Sequence, residues 1–356
     1  MDFKENPPPT NRSQKLKSYY VHLEIFDQTN VTFAKKKGFF HLKKMSKFKM
    51  RMGKYLQKIL LKYQGISLRN FTFDARFHRF LDHEAHLLGD IIRSFKGLKR
   101  LQLVFEHSHS CGSSLSDLGL YYLARGIKSL KKIKSTSIDI KRCIKITDLG
   151  LSTFLKNTHI VKTLESLDIN LSECRSILQS SFPQCWASLL MHQHLKRLTI
   201  SLSWCHIEDK GLSALINTVA KLNNLVCFEL DLESCHKIFQ DVVSEIFQPL
   251  TALKQLQAFS LNLKGIRHIS TEKAMMLFNF LANFKELQTL KLNLTWSSIT
   301  DEGLNEISKQ ILDFRQLRSL EINLRGNLCI SQAAAQNFVT VIQALPLLGH
   351  RDIQFF

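Results

Sequence analysis

His107, His109 and Cys111, in the run HSHSC, are the densest set of metal-ligating side chains. Alternate spacing puts them on one side of an extended segment, but a closed structural zinc site takes four ligands and no fourth lies nearby. A polar loop is therefore expected. Cys143, Cys174, Cys205 and Cys235 follow one another at intervals of 31, 31 and 30 residues. Ligands strung one structural unit apart form a row and not a tetrahedral cage, so a stacked, inward-facing column of small side chains is expected. No GxSxG, HExxH, phosphate-binding Walker loop or dinucleotide glycine pattern occurs, so each of those chemistries lacks its residues. No catalytic residue, metal, cofactor or small-molecule substrate is expected.

The elements that must position any functional residue come from a repeat. A phrase LxxLxLxL starts at Leu68, Leu98, Ile133, Leu164, Leu195, Leu225, Leu256, Leu287 and Leu317, with a closing fragment near Leu348. The steps are 30, 35, 31, 31, 30, 31, 31 and 30 residues. Within the phrase apolar residues alternate, as in a strand with one buried face. Between phrases run segments of helical period, such as Leu212, Leu215, Ile216 and Val219. Strand and helix repeated at fixed length force consecutive strands to be parallel, and each unit buries its apolar side only against its neighbours. The expected fold class is α/β: a curved solenoid of about nine units, with strands on the concave side and helices on the convex side. The expected organisation is a disordered tail at 1–18, a basic N-terminal capping segment at 19–67 and the array at 68–356.

Four helix starts share Asp-x-Gly-Leu, at Asp117, Asp148, Asp209 and Asp301. Asp there favours the helix dipole and accepts backbone N–H groups; Gly allows a close approach of the neighbouring turn.

LSWCHIEDKGLSALI and LTWSSITDEGLNEIS resemble the ribonuclease-inhibitor-like class of leucine-rich repeats, over residues 68–345. The resemblance implies a horseshoe that binds other proteins and names no ligand. The strand phrase is two residues longer than that family's. IKITDLGLST, from Ile144 to Thr153, resembles the magnesium-binding loop of protein kinases. Three other units carry the same pattern, and no HRD-like motif or GxGxxG accompanies it. A degenerate, inactive kinase relative is the third-ranked reading.

Net charge is +19. Residues 1–70 hold 16 Lys and Arg against 4 Asp and Glu, so the remainder reads as only mildly basic. In residues 41–63, Lys43, Lys47, Arg51, Lys54, Lys58 and Lys62 share one side of an amphipathic helical pattern. They are the candidate anion-binding residues for acidic lipid or nucleic acid, against the plainer role of a cap.

The leading expectation is a protein–protein interaction scaffold that binds through the concave face and the strand-edge rim, its partner unidentified. The candidate contact residues are Asp139, Asp168, Asn170, Ser201, Glu229, Asp231, Glu233, Asn262, Asn293 and Asn323 on the wet face, with Trp204 and Trp296 at the rim. Charge reversal at Asp231 and Glu233 is expected to weaken binding and leave folding intact. Cysteines without CxxC pairs and a start that lacks a signal pattern suggest the cytoplasm, with the nucleus as alternative.

Overall fold

A computed structural model of the chain describes residues 20–26, 30–31, 35–36, 39–40, 56–57, 68–76, 80–95, 97–106, 115–177, 182–238, 246–266 and 269–355, and only the backbone for 20–40 and 182–184. HSHSC and the candidates Lys43, Lys47, Arg51, Lys54, Lys58 and Lys62 lie outside the described residues.

Every phrase forms a strand. β1 (Tyr20–Phe26) and the two-residue β2 (Asn30–Val31), β3 (Lys35–Lys36) and β4 (Phe39–Phe40) precede the array. The array contains β5 (Asn70–Asp74), β6 (Arg100–Val104), β7 (Ser135–Asp139), β8 (Ser166–Asn170) and β9 (Arg197–Ser201). It continues through β10 (Cys227–Asp231), β11 (Ala258–Asn262), β12 (Thr289–Asn293), β13 (Ser319–Asn323) and β14 (His350–Gln354). β5 to β14 lie side by side in sequence order, parallel and in phrase register: Phe228 opposes Leu198 and Phe259, and Leu290 opposes Leu320. The fragment near Leu348 supplies β14. β1 pairs in parallel with β5, Leu23 opposite Phe73, in a stretch where the sequence reading placed no strand.

The alternating apolar residues of the array strands are buried, among them Phe71, Leu101, Leu167, Leu198, Phe228 and Phe259. Thr136 breaks this core column: it is fully buried and its hydroxyl has no hydrogen-bond partner. Leu56 is helical and fully buried in the same core.

The helices are α1 (Asp82–Ser94), α2 (Asp117–Lys128), α3 (Asp148–Thr158), α4 (Phe182–Ala187), α5 (Asp209–Val219), α6 (Thr271–Leu281), α7 (Asp301–Ile311) and α8 (Gln332–Gln343). After β8 and β10 the helical pieces are short, with 3-10 turns at Ser188–Met191 and Gln248–Ala252. Pro183 and Pro249 sit at the starts of these pieces, where the missing N–H costs nothing. Helices are about 10 Å wide and strands about 4.8 Å apart, so helices on one side and strands on the other curve the stack with the sheet inside.

At Asp117 and Asp301 the shared Asp-x-Gly acts between units. The N-caps are Ser116 and Thr147, which accept from Leu118 and Leu149 N–H. Asp117 accepts from the backbone N–H (2.7 Å) and hydroxyl (2.6 Å) of Thr147, the cap of the next helix. Asp82 holds Ser116 in the same way, at 2.9 and 2.6 Å, and Asp301 takes the N–H of Ser331. A Cβ on Gly150 would lie 2.1 Å from Asp117 Oδ1, and one on Gly119 would lie 2.5 Å from Asp82 Oδ1. The glycine of one unit makes room for the aspartate of the unit before it. The kinase-like ITDLGL run is this device: Thr147 caps α3, and Asp148 opens it.

Candidate functional site: the wet face and the edges of the sheet

The sheet continues past the strands. The residue after each strand donates its N–H to the next unit, as Leu202 does to Asp231 O and Leu232 to Asn262 O. The chain then turns. Asp139, Asn170, Asp231, Asn262, Asn293 and Asn323, the last strand residues, each accept from the N–H two residues on, at 3.0–3.2 Å. Short side chains with an acceptor oxygen close this turn, which is why the column is Asx-rich. Asp231 does more: it also accepts from Asn262 Nδ2 (2.8 Å), from Ser201 Oγ (3.0 Å) and from Ser203 Oγ. It ties three units together. Charge reversal at Asp231 would break these bonds and is not neutral to folding; Glu233, half-buried and bonded to Lys264 Nζ at 2.8 Å, can be reversed without that loss.

The carboxylates of Glu229 and Glu233 are compensated by cations. Arg197 reaches Glu229 at 3.2 Å, and Lys291 reaches Glu321 at 2.8 Å. Farther toward the N-terminus, Lys141 and Arg142 lie among Glu106 and Glu173, with Arg142 Nε 2.7 Å from Glu173. Burial pushes the carboxyl of Asp139 up, helped by Glu106; burial likewise raises Asp168, which accepts from Ser137 at 2.8 Å. Near the C-terminus a polar depression of about 270 Å³ is lined by Asn262, Lys291, Asn293, Glu321, Asn323 and Asp352, among others. Among the described residues, no group of three His, Cys, Asp or Glu is placed to hold a metal ion.

The cysteine column faces inward. The thiols of Cys174, Cys205 and Cys235 donate to the strand-end carbonyls of the preceding unit, Ile140, Leu171 and Leu202, at 3.1–3.2 Å. Asn327 does the same with its amide, to Leu294 at 3.0 Å. Burial raises these thiols, Cys205 to about 12, so they stay protonated donors. All seven described cysteines are free.

The residue before this column is left-handed in every unit from Arg142 onward: Arg142, Glu173, Trp204, Ser234, Gly265, Trp296 and Gly326 have φ between 55° and 74°. Trp204 and Trp296 are 53% and 62% exposed. Each leans on the following unit, Trp204 edge-on to His236 at 5.8 Å and Trp296 against Gly326.

Leucine-rich-repeat sequence patterns match residues 192–215 and 286–308, each a strand phrase with the helix start that follows it. The fold is a leucine-rich-repeat solenoid. No curated protein matches it in sequence. A solved Bacteroides fragilis protein is similar in fold, with 13% identity over 94% of this chain and 97% of that one and a TM-score of 0.50. A chain from the yeast Rad7–Elc1 complex aligns over 85% of this chain and 84% of its own, with 14% identity and a TM-score of 0.44.

Leucine-rich repeats present each strand position as a row, so the ten wet-face candidates are brought onto one surface and the two tryptophans onto its strand-end edge. His236 beside Trp204 and the 90% exposed Leu328 on that edge were missed. The repeat column they occupy was the available signal. No helix among the described residues is long and apolar enough to cross a membrane.

Proposed function

We propose that this leucine-rich-repeat chain is a non-catalytic protein-binding scaffold. Its contact surface is the strand-end edge from Trp204 to Leu328 together with the adjoining wet-face columns. The observation that carries this is a comparison among units. Ser234, Gly265 and Gly326 occupy the same left-handed position as Trp204 and Trp296, so the turn does not need an indole. A bulky residue at positive φ is strained, and more than half of each indole faces water. Exposed aromatic residues held on a rigid frame are the usual anchors of a protein interface. The pair stands three strand spacings apart, about 14 Å.

Asp139, Asn170, Asp231, Asn262, Asn293 and Asn323 frame this surface more than they offer it, since the turns occupy an acceptor oxygen of each, and Ser201 directs its hydroxyl to Asp231. Glu229 and Glu233, paired with Arg197 and Lys264, are the more exposed carboxylates of this face. The free cysteines accord with a reducing compartment, cytoplasmic or nuclear.

The test replaces both tryptophans by the residue other units use, W204G/W296G, with E233K as a second variant. Thermal unfolding should stay within a few degrees of wild type. Affinity purification from native extract should lose proteins that the wild type retains. Recovery of the same proteins by all three forms overturns the reading.

A further inference from the structure

The opposite edge of the sheet, where the strands begin, has a different character. Here the second phrase residues form a backbone ladder: Lys99 N–H donates to Arg69 O, Lys134 to Lys99, Glu165 to Lys134 and Lys196 to Glu165, at 2.7–2.8 Å. These residues are therefore adjacent, one per unit. The loops just before them add a second row, stitched across by Thr163 Oγ1 to Ile133 O at 2.6 Å. Lys99, Lys131, Lys132, Lys134, Lys162 and Lys196 all point into solvent on this edge. Arg100 and Arg197 adjoin them, and Glu165 is the one carboxylate among the described residues of these four strand starts. Glu165 binds Lys134 at 2.7 Å and Lys196 at 3.5 Å, which holds its carboxyl below its ordinary range, so it stays ionised and neutralises a single charge. The strand starts of β10 to β13 are less basic: Lys221, Lys254, Lys285, Arg315 and Arg318 stand against Glu286 and Asp313. The positive charge of the strand-start edge is thus densest in the four units from Leu98 to Leu195.

Two large aliphatic side chains stand exposed within the same loops, Ile160 at 45% and Met191 at 49%. Ile160 is two residues from Lys162, and Met191 is five from Lys196. A polyanion strand has no use for them, whereas a lipid surface takes cations at its headgroups and aliphatic tips below them.

We propose that the strand-start edge of units Leu98 to Leu195 is a docking surface for an anionic membrane, the lysines contacting lipid phosphates and Ile160 and Met191 entering the headgroup layer. Charge complementarity fixes the lipid sign, and the aliphatic pair distinguishes a membrane from a nucleic acid. This surface is separate from the strand-end edge with its tryptophans, so either proposal can fail alone.

The test is co-sedimentation of the full chain with vesicles of phosphatidylcholine alone, or with about a third phosphatidylserine, from low to high salt. Lysines close to an acidic membrane surface each add attraction, so K131E/K132E/K162E should weaken binding to the acidic vesicles at least tenfold, with unchanged circular dichroism and melting. Neutral vesicles should not bind. I160S/M191S should weaken vesicle binding and leave binding to a 20-nucleotide single-stranded RNA unaltered. Three results overturn the proposal. The first is unchanged vesicle binding by the triple lysine variant, which assigns any attraction to the basic N-terminal segment. The second is no binding to acidic vesicles by the wild type. The third is lysine-dependent binding of the RNA with vesicle binding indifferent to Ile160 and Met191, which makes the edge a nucleic-acid site.

Discussion

At the scale of single residues, the repeat rule and the side chain disagree in the middle of the array, at Thr136. Thr136 stands where neighbouring units have Leu101 and Leu167; it is fully buried, and its hydroxyl has no partner. An unsatisfied buried hydroxyl costs about 1–3 kcal/mol, and Val fits the same β-branched space in a strand. T136V is expected to stabilise the chain by about 1 kcal/mol, read from a urea melt as a higher midpoint at unchanged slope. A lower midpoint would mean that the hydroxyl makes a bond.

At the scale of elements, the junctions between helix starts decide how units stack. Gly150 lies in the first turn of α3, where helix propensity alone predicts that Ala stabilises by up to about 1 kcal/mol. The geometry predicts the opposite sign, because a Cβ there would strike Asp117 Oδ1 at 2.1 Å and disturb the two bonds to Thr147. G150A is expected to cost about 3 kcal/mol, from overpacking and a lost cap. D117S should remove much of that penalty, so the double variant should be less destabilised than the sum of the singles. Additive single effects in the cycle would refute the close approach as the cause.

At the scale of the whole molecule, acid should loosen the fold through His192. It is buried, its Nε2 lies 3.1 Å from Leu155 O and 3.5 Å from Thr158 Oγ1, and the His159 ring stands edge-on at 6.4 Å. Burial lowers its pKa from the ordinary 6.5 to about 4, against the opposing bond to Leu155. Below pH 6.5 the unfolded chain takes a proton that the folded chain refuses, so this stability is present above pH 6.5 and fades as pH falls toward 4. The loss between pH 7 and 5 is about 2 kcal/mol. Asp139 and Asp168, whose carboxyls are raised by burial, act in the other direction toward the bottom of that range. H192Q, whose amide can still reach Leu155 O, should show a stability that changes less between pH 7 and 5, measured by chemical denaturation at each pH. An equal slope in both proteins would remove His192 as the cause.

The sequence by itself determined the unit, its period, the buried faces and the parallel order of the strands, because apolar alternation and helical spacing are local and were copied at 30–31 residues. It also placed the inward cysteine column and put Trp204 and Trp296 at a strand edge. It did not show β1, whose Val21–Leu23–Ile25 alternation stands 50 residues before the unit it joins and so outside the period. Only the tertiary structure distinguished Asp231, tied to three units, from Glu233, bonded to Lys264 at the surface, since both read as acids near a strand end. It also gathered Lys99, Lys131, Lys132, Lys134, Lys162 and Lys196 onto one edge. Residues 30 apart in the chain become neighbours about 5 Å apart only when parallel strands stack, and charge summed along a sequence cannot register that stacking.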